Sequence, residues 1–275
     1  MFAPCNRRIF IDSTQLSFIH ATATDRYTAG YEPHADRFFP KPVNTAMGML
    51  VVWTDVIAEH ETEFNAWYTD QHLPERVAIP GFLNVRRYGA THSPKYLAYY
   101  ETESAEVMAS TTDTERLANS TDWTRRVMAW LVATICSAWR VTAELGHGVG
   151  GAAQTITFSM PQAGAALGPR PAAHDKVALG HWIVAKALPE AASHLGCMRA
   201  SLLHNDRSIT DRPSSECALR PHRDSAADWV IAIEAVVDSA LPEIIGPIET
   251  ALLENGATDI RSQGPYQLLT YLRKE

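Results

Sequence analysis

The feature that most constrains this chain is an internal repeat. Shifting the sequence by 115 positions lays Trp67 on Trp182 without a gap, and Leu73, Pro74, Glu75 and Gly81 then fall on Leu188, Pro189, Glu190 and Gly196. The matched segments read WYTDQHLPERVAIPG and WIVAKALPEAASHLG. A tryptophan, a Leu-Pro-Glu frame and a glycine kept at one offset imply one structural unit used twice. The copies differ in their polar residues. His72 lies on Ala187, Arg76 on Ala191, Arg86 on Ser201 and Tyr88 on Leu203. A site is therefore expected once per chain, in the first copy, with the second as its structural partner.

Hydrophobic patterning places elements around the repeat. Met49 to Val56 reads as a buried strand. Glu59 to Gln71 reads as a helix: its start is acidic, which suits the positive end of the helix dipole, and Phe64, Trp67, Tyr68 and Gln71 share one face. Leu73 precedes a proline and is pushed out of helical backbone, so this helix is expected to end near His72. Pro80-Gly81 is a turn. Strands follow over Phe82–Gly89 and Tyr96–Glu101, helical stretches within Ala105–Ala109 and Thr114–Ala129, and a strand over Leu131–Leu145.

The order then repeats. Strands are expected at Thr155–Met160, Cys197–His204, Trp229–Val237 and Tyr266–Arg273, and helices at Val177–Ala192 and Leu241–Glu254, the latter closed by Asn255-Gly256. Each β-α-β-β-α-β run is a ferredoxin-like unit. Its antiparallel sheet has helices on one face and leaves the other bare. Two tandem units cover each other sheet to sheet, which predicts an α+β fold: an intramolecular pseudo-dimeric α+β barrel. The expected divisions are 1–46, 47–148 and 149–275. Residues 1–46 lack a sustained period and carry Pro33, Pro40 and Pro42, so they read as a peripheral arm, or as sequence preceding a natural start at Met47. The Gly-rich GHGVGGAA at 146–153 links the units. The insertion Asn205–Asp228, with Arg207, Arg212, Arg220 and Arg223, reads as a disordered loop or an arginine-bearing lid.

Bulk properties narrow the function. The chain has 275 residues, 46% hydrophobic and 20% charged, with a net charge of −7. It shows no clustered Lys/Arg stripe of the kind phosphate backbones require, so nucleic acid is not an expected partner. No apolar run approaches the ~18 residues of a membrane span. Cys5, Cys136, Cys197 and Cys217 form no CxxC or zinc pattern and read as free thiols of a cytoplasmic protein.

The chemistry-bearing residues of the first copy each carry two readings. His72 is either a proton-transfer group or a cap on the last carbonyls of its helix. Tyr68, one helical turn before it, either orients the imidazole or packs in the core. Asn84, Arg86 and Tyr88 share one strand face and either bind an anionic or enolate-like oxygen or form a sheet-face ion pair. Trp67 is a substrate platform or core, and its retention as Trp182 favours core. No metal ligand set is expected, since Pro74 interrupts His72-Leu-Pro-Glu75 and His60-Glu61 lacks a second histidine. There is no Walker loop and no c-type haem attachment motif.

WYTDQHLPERVAIPGFLNVRRY, placed after a first strand, resembles the helix-to-strand signature of the dimeric α+β barrel superfamily, closest to its EthD-like branch. The resemblance covers Met49 to about Leu145 by motif, and Thr155 to Lys274 through strand order and the internal match. It implies a ligand cavity, with His72 in the place of the family's histidine. It also implies a cofactor-free isomerase, lyase or monooxygenase acting on an aromatic, quinol-like or polyketide-like small molecule, in a monomer or homodimer. Two other readings stand beside it. One is a non-catalytic ligand-binding or stress-associated protein. The other is a haem-using enzyme, for which His72 or His204 would be the axial ligand.

Overall fold

The structure, a computed structural model, describes residues 47–110, 120–160, 176–212, 219 and 227–274. The expectations for residues 1–46, for the start of the Thr114–Ala129 stretch and for most of Asn205–Asp228, including Arg220 and Arg223, lie outside them.

Eight antiparallel strands close into one barrel in the order β1-β3-β2-β8-β5-β7-β6-β4. The first unit supplies β1 (Gly48–Val56), β2 (Phe82–Gly89), β3 (Tyr96–Thr102) and β4 (Leu131–Gly146). The second supplies β5 (Ala152–Ser159), β6 (Cys197–Asn205), β7 (Trp229–Ala235) and β8 (Thr258–Arg273). Each unit runs fourth-first-third-second across its sheet, so the chain is two tandem ferredoxin-like units forming an intramolecular pseudo-dimeric α+β barrel. The sixteen-residue strands β4 and β8 seal it. Each pairs along its first part with its own unit (β4 with β1, β8 with β5) and along its second part with the other (β4 with β6, β8 with β2). Closure leaves no strand edge unpaired. The register irregularity between Phe82 and Asn84 recurs between Cys197 and Arg199, again at the 115-residue offset.

Alternation along the strands sorts the side chains into three layers. Met49, Val51, Trp53, Tyr88, Leu97, Tyr99 and Trp139 point into the barrel. Leu50, Val85, Ala98 and Tyr100 point outward, beneath Phe64, Trp67 and Leu73 of the first-unit helix. Ile156, Leu202, Ile231 and Ile233 do the same in the second unit, beneath Leu179, Ile183, Leu188 and Ile244. Among the described residues no helix is long and apolar enough to cross a membrane.

The first-unit helix does not stop at His72. An α-helix over Glu61–Trp67 passes into a π turn over Tyr68–His72 and resumes as α-helix over Leu73–Ala78. The Leu73 N–H bonds the Tyr68 carbonyl, five residues back rather than four. The wider turn moves aside the carbonyl that the ring of Pro74 would otherwise strike, and the proline, lacking an N–H, has no bond to lose there. The second unit does the same: Ile183–Ala187 is a π turn and Leu188 bonds Ile183, just ahead of Pro189. The Leu-Pro frame of the repeat is thus the signature of a π turn. The retained glycines have their own reason. Gly81 (φ +88°) and Gly196 (φ +95°) turn the chain from helix into strand in left-handed backbone that L side chains rarely adopt.

Candidate functional site

The residues named from sequence fall on opposite faces of one sheet. Asn84, Arg86 and Tyr88 point into the barrel, where each meets a carboxylate while Arg86 Nε has no hydrogen-bond partner. Arg86 contacts Glu101 at 2.5 Å and Glu234 at 3.0 Å. Asn84 donates to Glu101 at 2.5 Å and Tyr88 to Glu234 at 2.8 Å. Arg199 of β6 binds Glu101 as well and lies 3.6 Å from Glu144. Glu101 and Glu234 hold equivalent places, opposite Asn84 and Arg199 in their own units, which are related by the repeat offset. The arginines therefore cross-link the two units through the lumen. Burial raises the Glu101 carboxyl, but Arg86, Arg199 and the Asn84 hydrogen bond outweigh it and hold the group down at about 2. Gly150 of the interunit connector completes the cluster, donating its N–H to Glu234 at 3.1 Å. A Cβ there would sit 2.7 Å from the Ala235 backbone, so only glycine fits. The lumen set is an ion-pair framework, the second of the two readings above.

His72, Tyr68 and Trp67 lie in the outer, helix-covered layer. His72 is 7% exposed. Its ring stacks on Trp67 at 4.4 Å and meets Tyr68 edge-on at 5.0 Å. The Tyr68 hydroxyl pairs with that of Tyr100 at 2.7 Å, and Trp67 Nε1 donates to Thr124 at 3.1 Å. Since the helix continues past His72, this histidine does not cap its end.

The residue missed from sequence is Arg87. It lies on the outward face of β2 with Leu83 and Val85, beneath the helix, and is 2% exposed. No carboxylate among the described residues lies within 4.0 Å of its guanidinium. Its terminal nitrogen donates to Asn65 Oδ1 at 2.7 Å, while Nε has no partner. The guanidinium carbon sits 4.2 Å from the Tyr68 ring centre, 4.5 Å from Tyr96 and 4.9 Å from Phe64. Burial lowers its proton affinity below that of an ordinary arginine. The signal was present in the sequence: an arginine on an apolar strand face, matched at the repeat offset by Leu202.

Arg87 forms part of the wall of a cleft of about 700 Å³ between the first-unit helix, the end of β2 and the second unit's β8. Glu61, Asn65 and Thr69 come from the helix, Lys95 and Tyr96 from β3 and its approach, and Gln267 and Leu269 from β8. Glu61, Phe64, Asn65 and Tyr68 recur at helical spacing, which aims them all at the sheet. A hydrogen-bonded string runs along the wall. Arg87 donates to Asn65, Asn65 donates to the Tyr96 hydroxyl at 3.0 Å, Tyr96 donates to Glu61, and Lys95 pairs with Glu61. The Lys95 and Tyr96 hydrogen bonds lower the Glu61 carboxyl, while burial and the Glu61 bond raise the Tyr96 phenol. The string thus offers a carboxylate that stays charged, a phenol that stays protonated and a buried cation.

The second unit has an apolar set in these places. Phe64, Asn65, Tyr68 and Arg87 correspond to Leu179, Gly180, Ile183 and Leu202. The strand pairing sets Tyr96 against Trp229. Leu179, Ile183 and Leu202 are fully packed. The fold therefore has no architectural need of an arginine at position 87.

A smaller cavity of about 220 Å³ lies in the second unit, lined by Trp182, Glu190, His194, Glu243 and Ile248 among others. His72 and His204 line neither of these two cavities. Among the described residues no group of three or more His, Cys, Asp or Glu side chains is placed to hold a metal ion.

No family model matches the sequence, and no curated protein matches it. Solved structures do match the fold. An anthrone oxidase-like protein superposes with a TM-score of 0.54 at 10% identity, over 86% of this chain and 96% of its own. A "putative monooxygenase" of Fusobacterium nucleatum gives 0.52 at 9% identity, over 84% and 95%. The fold is that of the dimeric α+β barrels. Another "putative monooxygenase", from Lactobacillus acidophilus, matches this barrel at 0.51 and 11% identity, over 83% and 97%. Identities this low establish the barrel architecture and leave its chemistry to be argued from the site.

Proposed function

We propose that this α+β barrel is a small-molecule enzyme of EthD-like type with one reaction site per chain, in the helix–sheet cleft of the first unit. It performs acid–base chemistry without a cofactor on an aromatic, quinol-like or polyketide-like compound. The observation that supports this most is the Arg87–Asn65–Tyr96–Glu61 string along a cleft, set against the apolar residues filling the same places in the second unit. Isomerisation, elimination and cofactor-free oxygenation of such compounds all begin by moving a proton at an acidic C–H or O–H and placing negative charge on oxygen. A buried guanidinium stabilises that charge more than water does. Glu61, the carboxylate of the string, takes that proton through Tyr96, whose hydroxyl passes its own proton to Glu61 as it accepts the substrate's, and the same relay run backwards returns it. Of the residues first named, Tyr68 serves as the aromatic floor under Arg87, and His72 and Trp67 brace that floor.

The test is deuterium exchange at the acidic C–H of enolisable aromatic ketones, with anthrone as first probe, followed by proton NMR on the full chain in D2O. Exchange reports proton transfer whichever product forms. The proposal predicts exchange faster than in buffer, lost in Arg87→Leu and slowed in Tyr96→Phe. Exchange no faster than in buffer across the panel, or unaffected by both substitutions, would contradict it.

A further inference from the structure

We infer that the ligand of the first-unit cleft carries a single deprotonated oxygen group, a carboxylate or an enolate on a planar ring, and that Arg87 is the residue selecting it. The inference rests on the cleft being the reaction site.

Charge accounting leads to it. The two strand arginines whose guanidiniums turn into the lumen are matched by protein carboxylates: Arg86 by Glu101 and Glu234, Arg199 by Glu101 and Glu144. Arg87, on the outward face, is as buried as Arg86, and no carboxylate among the described residues lies within 4.0 Å of its guanidinium, Glu61 acting on it only from farther off. A guanidinium presents five N–H donors, and Arg87 spends one on the neutral oxygen of Asn65. Of the two carboxylates on the cleft wall, Glu61 is committed to Lys95 and Tyr96, and Asp238 accepts from Gln267 at 2.8 Å. Among the described residues Arg87 is thus a buried cation left for a ligand to match. Burying a cation without its counter-charge is costly, and Leu202 shows that the fold fills this place with a hydrocarbon when no ligand is to be met. The Phe64, Tyr68 and Tyr96 rings fix the guanidinium plane by cation–π contact. A planar acid can bond its remaining donors edge to edge. Asn65 holds both Arg87 and Tyr96, and so sets the distance between the anion and the phenol.

The experiment compares 2-naphthoate with 2-naphthamide, which share ring and shape and differ in charge, by calorimetric titration of the full chain. The wild type is expected to prefer naphthoate by about tenfold or more, the range of a charge-assisted hydrogen bond. Arg87→Lys keeps the preference, because the charge remains. Arg87→Leu, the residue the second unit carries at this place, removes it. Equal affinity for both probes in the wild type, no naphthoate binding at millimolar concentration, or a preference that survives Arg87→Leu overturns the inference. Thr69→Trp, which fills the cleft, separates the two claims. Equal binding that Thr69→Trp abolishes overturns the charge selection and leaves the cleft standing; equal binding that ignores Thr69→Trp overturns both.

Discussion

Replacing Arg86 by methionine removes the guanidinium that spans Glu101 and Glu234, two carboxylates whose side chains are 6% and 3% exposed. Removing one partner of a buried ion pair costs about 3–5 kcal/mol, because the remaining charge stays out of water. Here the loss is cushioned. Glu101 keeps Arg199 and Asn84, and Glu234 keeps the Tyr88 hydroxyl and the Gly150 N–H. The low end, about 3 kcal/mol, is therefore expected. Arg86, Arg199 and Asn84 together hold the Glu101 carboxyl at about 2 against an ordinary 4.5, so part of this contribution depends on pH. Because the folded value is depressed, this contribution is fully present above about 4.5 and is lost as pH falls toward about 2. In Arg86→Met the Glu101 carboxyl rises toward its ordinary value and less remains to be lost. Urea unfolding followed by tryptophan fluorescence should show a gap of about 3 kcal/mol at neutral pH, narrowing through that acid window. Loss of the exposed Arg126–Glu63 pair, 57% and 42% exposed, is the control and should cost less than about 1 kcal/mol. A neutral-pH gap no larger than the control, or one constant through the acid window, would refute the framework reading of the lumen.

Three further outcomes follow from the same contacts. Arg87→Leu should leave stability unchanged or raise it by about 1–2 kcal/mol in urea, because it exchanges an unmatched buried cation for the residue packed at position 202, while it abolishes exchange activity. His72→Leu should leave the exchange rate at the wild-type level, since His72 does not line the cleft; a rate collapse would return proton transfer to the imidazole. Gly81→Ala should cost well over 1 kcal/mol, because φ is +88° and the new methyl would meet Val107 at 2.6 Å; Gly196→Ala, with its nearest neighbour at 3.4 Å, should cost less, and the difference in unfolding midpoints reads the steric part.

Much of the fold was legible because the repeat and the strand alternation are statements about packing, and packing decided them. The strand order and the sheet-to-sheet closure appear as read. The end of the first-unit helix was misplaced because Pro74 is a helix breaker only when the turn before it is α. A π turn makes room for it, and single-residue propensities do not register that. The site was split for a different reason. Arg86 and Arg87 are adjacent, and in a strand adjacent residues face opposite ways, so the pair could not share a pocket. The polar face of β2 drew attention as the functional one, yet it faces a lumen where Glu101 and Glu234, remote in sequence, claim its donors. The apolar face held the exception. Asn65, Tyr96 and Glu61 each look unremarkable alone, and only the helix crossing over β2 and β3 brings them to Arg87.

The measurement that bears most directly on this account is a crystal structure of the full chain with 2-naphthoate. The account predicts the ring in the first-unit cleft beside Tyr96, its carboxylate within about 3 Å of the Arg87 guanidinium, and nothing bound over Leu202. A naphthoate seated in the Trp182–Ile248 cavity of the second unit, with the Arg87 cleft filled by water alone, would contradict it.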